Sequence, residues 1–129
     1  MLDFKSKNHN LNLRTDVRYR AYQFSLVVIK LVATFPEKRV FWIIGDQLLR
    51  AATSIGANLI EAKASSSKRD FIKFYQIALK SANETIYWLG LLKDAQLIES
   101  SRLELIIREV EEISRMIAAS LLTMKGKKV

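Results

Sequence analysis

The sequence predicts an all-α protein, an antiparallel up-down-up-down four-helix bundle. Three observations carry this. Apolar residues recur at steps of three and four through most of residues 16–124, the period of a helix with one buried face. Glycine (4) and proline (1) are scarce, so turns are few. The breaks at Phe35-Pro36, Ser65–Ser67 and Gln96–Ser100 are short, and short connections join antiparallel neighbours. No strand pattern and no second domain is visible in the 129 residues, a length suited to one core.

Residues 1–15 read as a flexible basic tail, 16–124 as the bundle and 125–129 as a second basic tail. Asp16 is placed to cap a first helix running to about Phe35. Pro36 marks its end, because the residue before a proline avoids helical geometry. Within Ala21–Phe35, eleven of fifteen residues are apolar. One core-facing stripe needs fewer, and the surplus predicts self-association. The second helix starts near Glu37–Val40 and runs to about Ala64, with Leu48, Ala52, Ile55, Leu59 and Ala62 as its seam. A serine of Ser65–Ser67 can cap the third helix, and Asp70 in its first turn favours the helix dipole. That helix runs to about Ala95 on a seam of Phe71, Phe74, Ala78, Ser81, Thr85, Trp88 and Leu92. The fourth, Ser101–Met124, has Leu103, Ile106, Val110, Ile113, Ile117, Leu121 and Met124 on its seam. Glu104/Arg108 and Glu111/Arg115 stand as i,i+4 pairs on its wet face.

The stretch Gln47–Ala62, QLLRAATSIGANLIEA, departs from a plain bundle helix. Beside its seam, Gln47, Arg50, Ser54, Asn58 and Glu61 form a second stripe of hydrogen-bonding groups. Ala51, Ala52, Ser54, Gly56 and Ala57 are small enough for another helix to approach closely. Ser81 and Glu84 on the third helix are candidate partners. The expected arrangement is an internal polar network of these seven polar residues, with Arg50 paired to Glu84. Breaking such a buried pair at Arg50 would cost about 3–5 kcal/mol.

The formal net charge is +8, which points to an anionic partner. Residues 1–20, 61–73 and 123–129 carry +3, +2 and +3, the whole excess. An up-down topology gathers those segments at one end. Arg14, Arg18, Arg20, Lys63, Lys68, Arg69, Lys73, Lys125, Lys127 and Lys128 are therefore the candidate contacts to RNA or DNA. Such phosphate contacts are salt-dependent and mostly blind to sequence.

Catalytic chemistry has little to work with. The single histidine, His9, lies in the tail, and there is no cysteine. No Glu-x-x-His pair for a di-iron site, no arginine–histidine ribonuclease pair and no phosphate-binding glycine loop occurs. Glu61 and Glu84 are the one carboxylate pair that could do acid–base work, and the network reading absorbs both. Phe71, Phe74, Tyr75, Tyr87 and Trp88 could stack on bases, but their helical spacing reads as core. No enzyme activity, metal or cofactor is expected. With no cysteine, no signal sequence and Ala21–Phe35 too short and polar to span a bilayer, a cytoplasmic protein without a membrane partner is expected.

Gln47, Arg50, Ala51, Ser54, Ile55, Asn58 and Glu61 match a pattern, Q-x-x-R-A-x-x-S-I-x-x-N-I-x-E-G. With Phe35-Pro36 before it, and Ala78, Ser81 and Glu84 in IALKSANE after it, the chain resembles the bacterial proteins encoded by intervening sequences in large-subunit ribosomal RNA genes. That family includes the accessory variability determinant (Avd) proteins of diversity-generating retroelements. The resemblance covers about residues 17–124. It implies a bundle assembled into a ring, a homopentamer, with no enzymatic activity. For the retroelement branch it implies a basic surface that binds nucleic acid and a reverse transcriptase. Two departures stand out: Ala62 and Lys80 occupy positions where the family usually has glycine. Against the nucleic-acid reading stands a second one, a structural module that assembles with another protein and binds no nucleic acid.

Overall fold

The computed structural model describes residues 16–126. Arg14, Lys127 and Lys128, and the tails at 1–15 and 127–129, lie outside the described residues. The fold is all-α: α1 (Val17–Ala33), α2 (Arg39–Ala64), α3 (Lys68–Asp94) and α4 (Ser100–Met124), with no strand among the described residues. α2 packs against α1 and α3, and α4 closes the arrangement by touching α3 and α1.

Local chemistry sets the helix ends. The Asp16 carboxylate accepts from the Arg18 backbone N–H at 2.9 Å and starts α1. Ser67 accepts from Asp70 N–H at 3.1 Å and starts α3. Each satisfies an orphan donor of a first turn. Glu99 does the same for α4, from Arg102 N–H at 3.3 Å, which places the start at Ser100. α3 ends in a Schellman motif: Gln96 N–H reaches Lys93 O and Leu97 N–H reaches Leu92 O, both at 3.0 Å. Gln96 takes the left-handed conformation this needs, φ 58°.

The seams of α2 and α4 are those the periodicity predicts. Leu48, Ala52, Ile55, Leu59 and Ala62 are fully buried, and on α4 Leu103 through Leu121 are buried with Met124 half-buried. On α3 the core face is rotated from the predicted one. Tyr75, Ala82 and Leu89 join Ala78, Ser81, Thr85 and Leu92 inside, while Phe71, Phe74 and Trp88 are half-buried. α3 packs on two neighbours, so its buried arc turns toward α4, and the predicted seam tracked the edge facing α2.

The close helix approach lies between α1 and α2. A Cβ added at Gly45 would meet the Phe35 ring at 3.2 Å, and one at Gly56 would meet Ala21 Cβ at 3.5 Å. On α1 only one face is covered: Ala21, Phe24, Val28 and Leu31 are buried, while Val27 and Ile29 are each 45% exposed. On the wet face of α4 the pairing also differs from expectation. Arg115 goes to Glu112 at 2.8 Å, one position nearer than Glu111, and Glu104 meets Lys93 of α3 at 4.0 Å.

Candidate functional site

The polar stripe of α2 divides in two. Ser54, Asn58 and Ser81 form an internal cluster: Ser81 donates to Ser54 Oγ at 2.8 Å, and Asn58 Nδ2 donates to Ser54 Oγ at 2.9 Å and Ser54 O at 2.8 Å. Ser81 is buried. The other members are not internal. Gln47, Arg50, Glu61 and Glu84 are exposed, and the expected Arg50–Glu84 pair does not form. Arg50 Nε instead donates to Asp46 on its own helix at 3.3 Å, with side chains 75% and 63% exposed. The stripe lies on the outer edge of the α2–α3 contact. A long charged side chain there keeps its head in water, because burying it would cost several kcal/mol. Gln47, Arg50, Ser54, Ser81, Glu84 and Trp88 thus line an open groove of about 250 Å³. Glu61 is not among its lining residues, so this groove does not bring the two carboxylates together.

Both departures from the family pattern are accommodated. Ala62 is fully buried in the α2 seam. Lys80 points to solvent, so the close Ser54–Ser81 contact beside it is intact.

The cationic segments converge. The first turns of α3 and the last turns of α4 meet at a cleft lined by Phe71, Tyr75, Ala119, Ser120, Thr123 and Met124. The Tyr75 phenol senses the charges of Arg18 and Asp16 from the start of α1, although burial is the main cause of its raised pKa. Ser65–Ser67 ties the end of α2 to the same place. Lys63, Lys68, Arg69, Lys73 and Lys125 are all exposed there and make no ion pair among the described residues. Lys73 sits 6.0 Å from the Phe74 ring centroid.

The two arginines of α1 differ from the other candidates. Arg18 pairs with Asp16 at 3.0 Å. Arg20 holds Glu109 of α4 with a two-point grip, Nη2–Oε1 2.6 Å and Nε–Oε2 3.0 Å, and that hydrogen bonding raises its pKa. Their charge already has a partner, so the open cationic surface rests on the five residues above.

A second groove, of about 650 Å³, runs along the outer face of α3 toward Lys125. Tyr87 stands 60% exposed beside it, against the expectation of a core position; Trp88 is half-buried. Tyr87 stands on the face of α3 opposite its seam, with Gln76, Lys80 and Asn83, so the core expectation for the aromatics does not hold for it. Among the described residues no three His, Cys, Asp or Glu side chains gather as a metal site, and no helix is long and apolar enough to cross a membrane. His9 lies outside the described residues.

Fold and surface together define an all-α, four-helix protein with a group of unpaired cations at one pole. The chain belongs to the 23S rRNA-intervening sequence protein family, whose sequence pattern matches residues 14–119. It is similar to a crystal structure of a protein of unknown function from the S23 ribosomal protein family of Bacteroides thetaiotaomicron. The two share 34% identity and a TM-score of 0.77, over 81% of this chain and 97% of that one. No curated protein matches the chain.

Proposed function

We propose that this chain is a non-enzymatic, oligomeric protein that binds RNA or DNA through the cationic pole. It would act as an accessory to the reverse transcriptase of a diversity-generating retroelement, or in connection with an rRNA intervening sequence, in the cytoplasm. The carrying observation is the convergence of Lys63, Lys68, Arg69, Lys73 and Lys125 at one pole without acidic partners. Two of them are placed against helix stability. Lys68 and Arg69 occupy the first turn of α3, where the dipole disfavours cations. Residues that break a local rule without a structural gain are expected at functional surfaces.

The bundle is read as antiparallel, up-down-up-down. Cross-helix contacts support this, since residue numbers rise on one helix as they fall on its partner. Ala21 meets Gly56 while Phe35 meets Gly45; Asn83 meets Ser114 while Lys93 meets Glu104. A homopentameric ring would set five poles side by side as one basic face.

Electrophoretic mobility with RNA and DNA across a salt series tests the function. Binding that weakens steeply with salt, and is lost when Lys68, Arg69 and Lys125 become Glu, is expected. Binding that ignores salt, or survives the substitutions, overturns it.

The second reading is a structural module that assembles with itself or another protein. The large apolar side chains left in water favour it: Trp42 is 63% and Ile43 52% exposed at adjoining positions of α2, and exposed apolar patches mark interaction surfaces. It predicts no nucleic-acid affinity at physiological salt and a pull-down dominated by one protein. Light scattering decides self-association under either reading, and a monomer excludes the ring.

A further inference from the structure

We propose that the outer groove of α3 is a stacking track for the unpaired bases of a single-stranded nucleic acid, with Tyr87 as its platform. This rests on the nucleic-acid reading above and adds where bases, as opposed to phosphates, are held. Gln76, Lys80, Asn83 and Tyr87 follow one another at steps of 4, 3 and 4, so they stand on one face of α3. All four are exposed and all four line the groove.

Their chemistry is that of a base-reading surface. The Tyr87 ring is held edge-to-face against Trp88, centroids 5.1 Å apart and planes at 76°. It is therefore positioned, yet more than half in water. An aromatic face accepts any base, because every base has a π-face. Lys80 makes no ion pair among the described residues and stands one helical turn from Asn83, near enough to take a phosphate beside a stacked base. The carboxamides of Gln76 and Asn83 can meet base edges; Asn83 uses its oxygen on Ser114 at 3.5 Å, which leaves its N–H donors to the groove. The floor, Leu79 and Leu121, excludes water.

Charge continuity selects the occupant. The groove ends at Lys125, which belongs to the cationic pole, so a strand held there by its phosphates runs directly onto α3. Its one acid, Glu84, also lines the α2–α3 groove and repels a phosphate at that end. A duplex keeps its bases stacked on each other and cannot use a ring face. A single strand can.

The test is fluorescence anisotropy with a fluorescein-labelled single-stranded RNA of mixed sequence and with its blunt duplex. Molar mass is followed by light scattering and fold by circular dichroism. Tyr87→Ala is expected to weaken single-strand binding by about tenfold, leave duplex binding and molar mass unchanged, and be rescued by Tyr87→Phe. Lys68→Glu with Arg69→Glu should weaken both probes alike. Tyr87→Ala that leaves single-strand binding intact overturns the stacking proposal while the basic pole stands. Loss of both probes together with a fall in molar mass also overturns it, because the groove is then covered by a second copy of the chain. Wild-type protein that binds neither RNA overturns the nucleic-acid reading itself.

Discussion

Ser81 of α3 donates its hydroxyl to Ser54 of α2 at 2.8 Å, the one side-chain hydrogen bond between these helices among the described residues. Ser54 in turn is held by Asn58. Ser81 is buried, and Ser54 Oγ is the acceptor its hydroxyl uses. Ser54→Ala strands it and should cost about 1–3 kcal/mol. Ser81→Ala removes the donor but leaves Ser54 bonded to Asn58, and should cost less, about 0.5–1.5 kcal/mol. Urea denaturation of both single variants and the double variant measures this. The double variant should be hardly less stable than Ser54→Ala, a coupling expected of contacting residues.

Arg50 carries a sharper test of where the stripe ends. Its pair with Asp46 is solvent-exposed on both sides, and exposed i,i+4 pairs contribute only about 0.3–0.5 kcal/mol. Arg50→Ala should therefore shift the urea midpoint little. A loss of about 3–5 kcal/mol would mean that Arg50 is buried and paired in the assembled protein.

Asp16 sets an acid limit on α1. Burial raises the pKa of its carboxyl, but the hydrogen bonds and charge of Arg18 outweigh this and hold it below its ordinary 3.8. A depressed carboxylate pKa stabilises the fold fully above the ordinary value, and the contribution is lost as pH falls through the folded value. Below about pH 4 the wild type should lose stability more steeply than Asp16→Asn, which keeps a cap but cannot titrate. Asp16→Ala should cost about 1 kcal/mol at neutral pH. Thermal melts from pH 7 to pH 2 compare the three.

Gln96 bears the left-handed turn after α3, φ 58°, where glycine is the usual residue. The equivalent position after α4 does hold glycine, Gly126 at φ 76°. Gln96→Gly relieves the Cβ conflict and should raise stability by about 1 kcal/mol. Differential scanning calorimetry checks it; a lowered melting temperature would mean that the Gln96 side chain contributes more than its backbone costs.

The residues by themselves determined the helices and most of the core. Asp16 and Ser67 mark starts, Pro36 bars continuation, and a period of three and four needs only the geometry of one helix to name the seams of α2 and α4. The motif from Gln47 to Glu61 placed the family, because that combination of polar residues beside a seam is uncommon. The tertiary structure decided which side of each boundary a residue falls on. Ser54, Asn58 and Glu61 share one stripe, yet Ser54 accepts from Ser81 of α3, Asn58 turns back to Ser54, and Glu61 stays in water. Arg20 reads as one more surface cation until Glu109, 89 positions away, is found against it. Tyr87 reads as core among the aromatics of α3, yet it stands on the outer face, 60% exposed. In each case the period gives a residue's angle on its own helix. Its burial depends on where two neighbouring helices sit around that angle, and this is a property of the packed bundle rather than of any one segment.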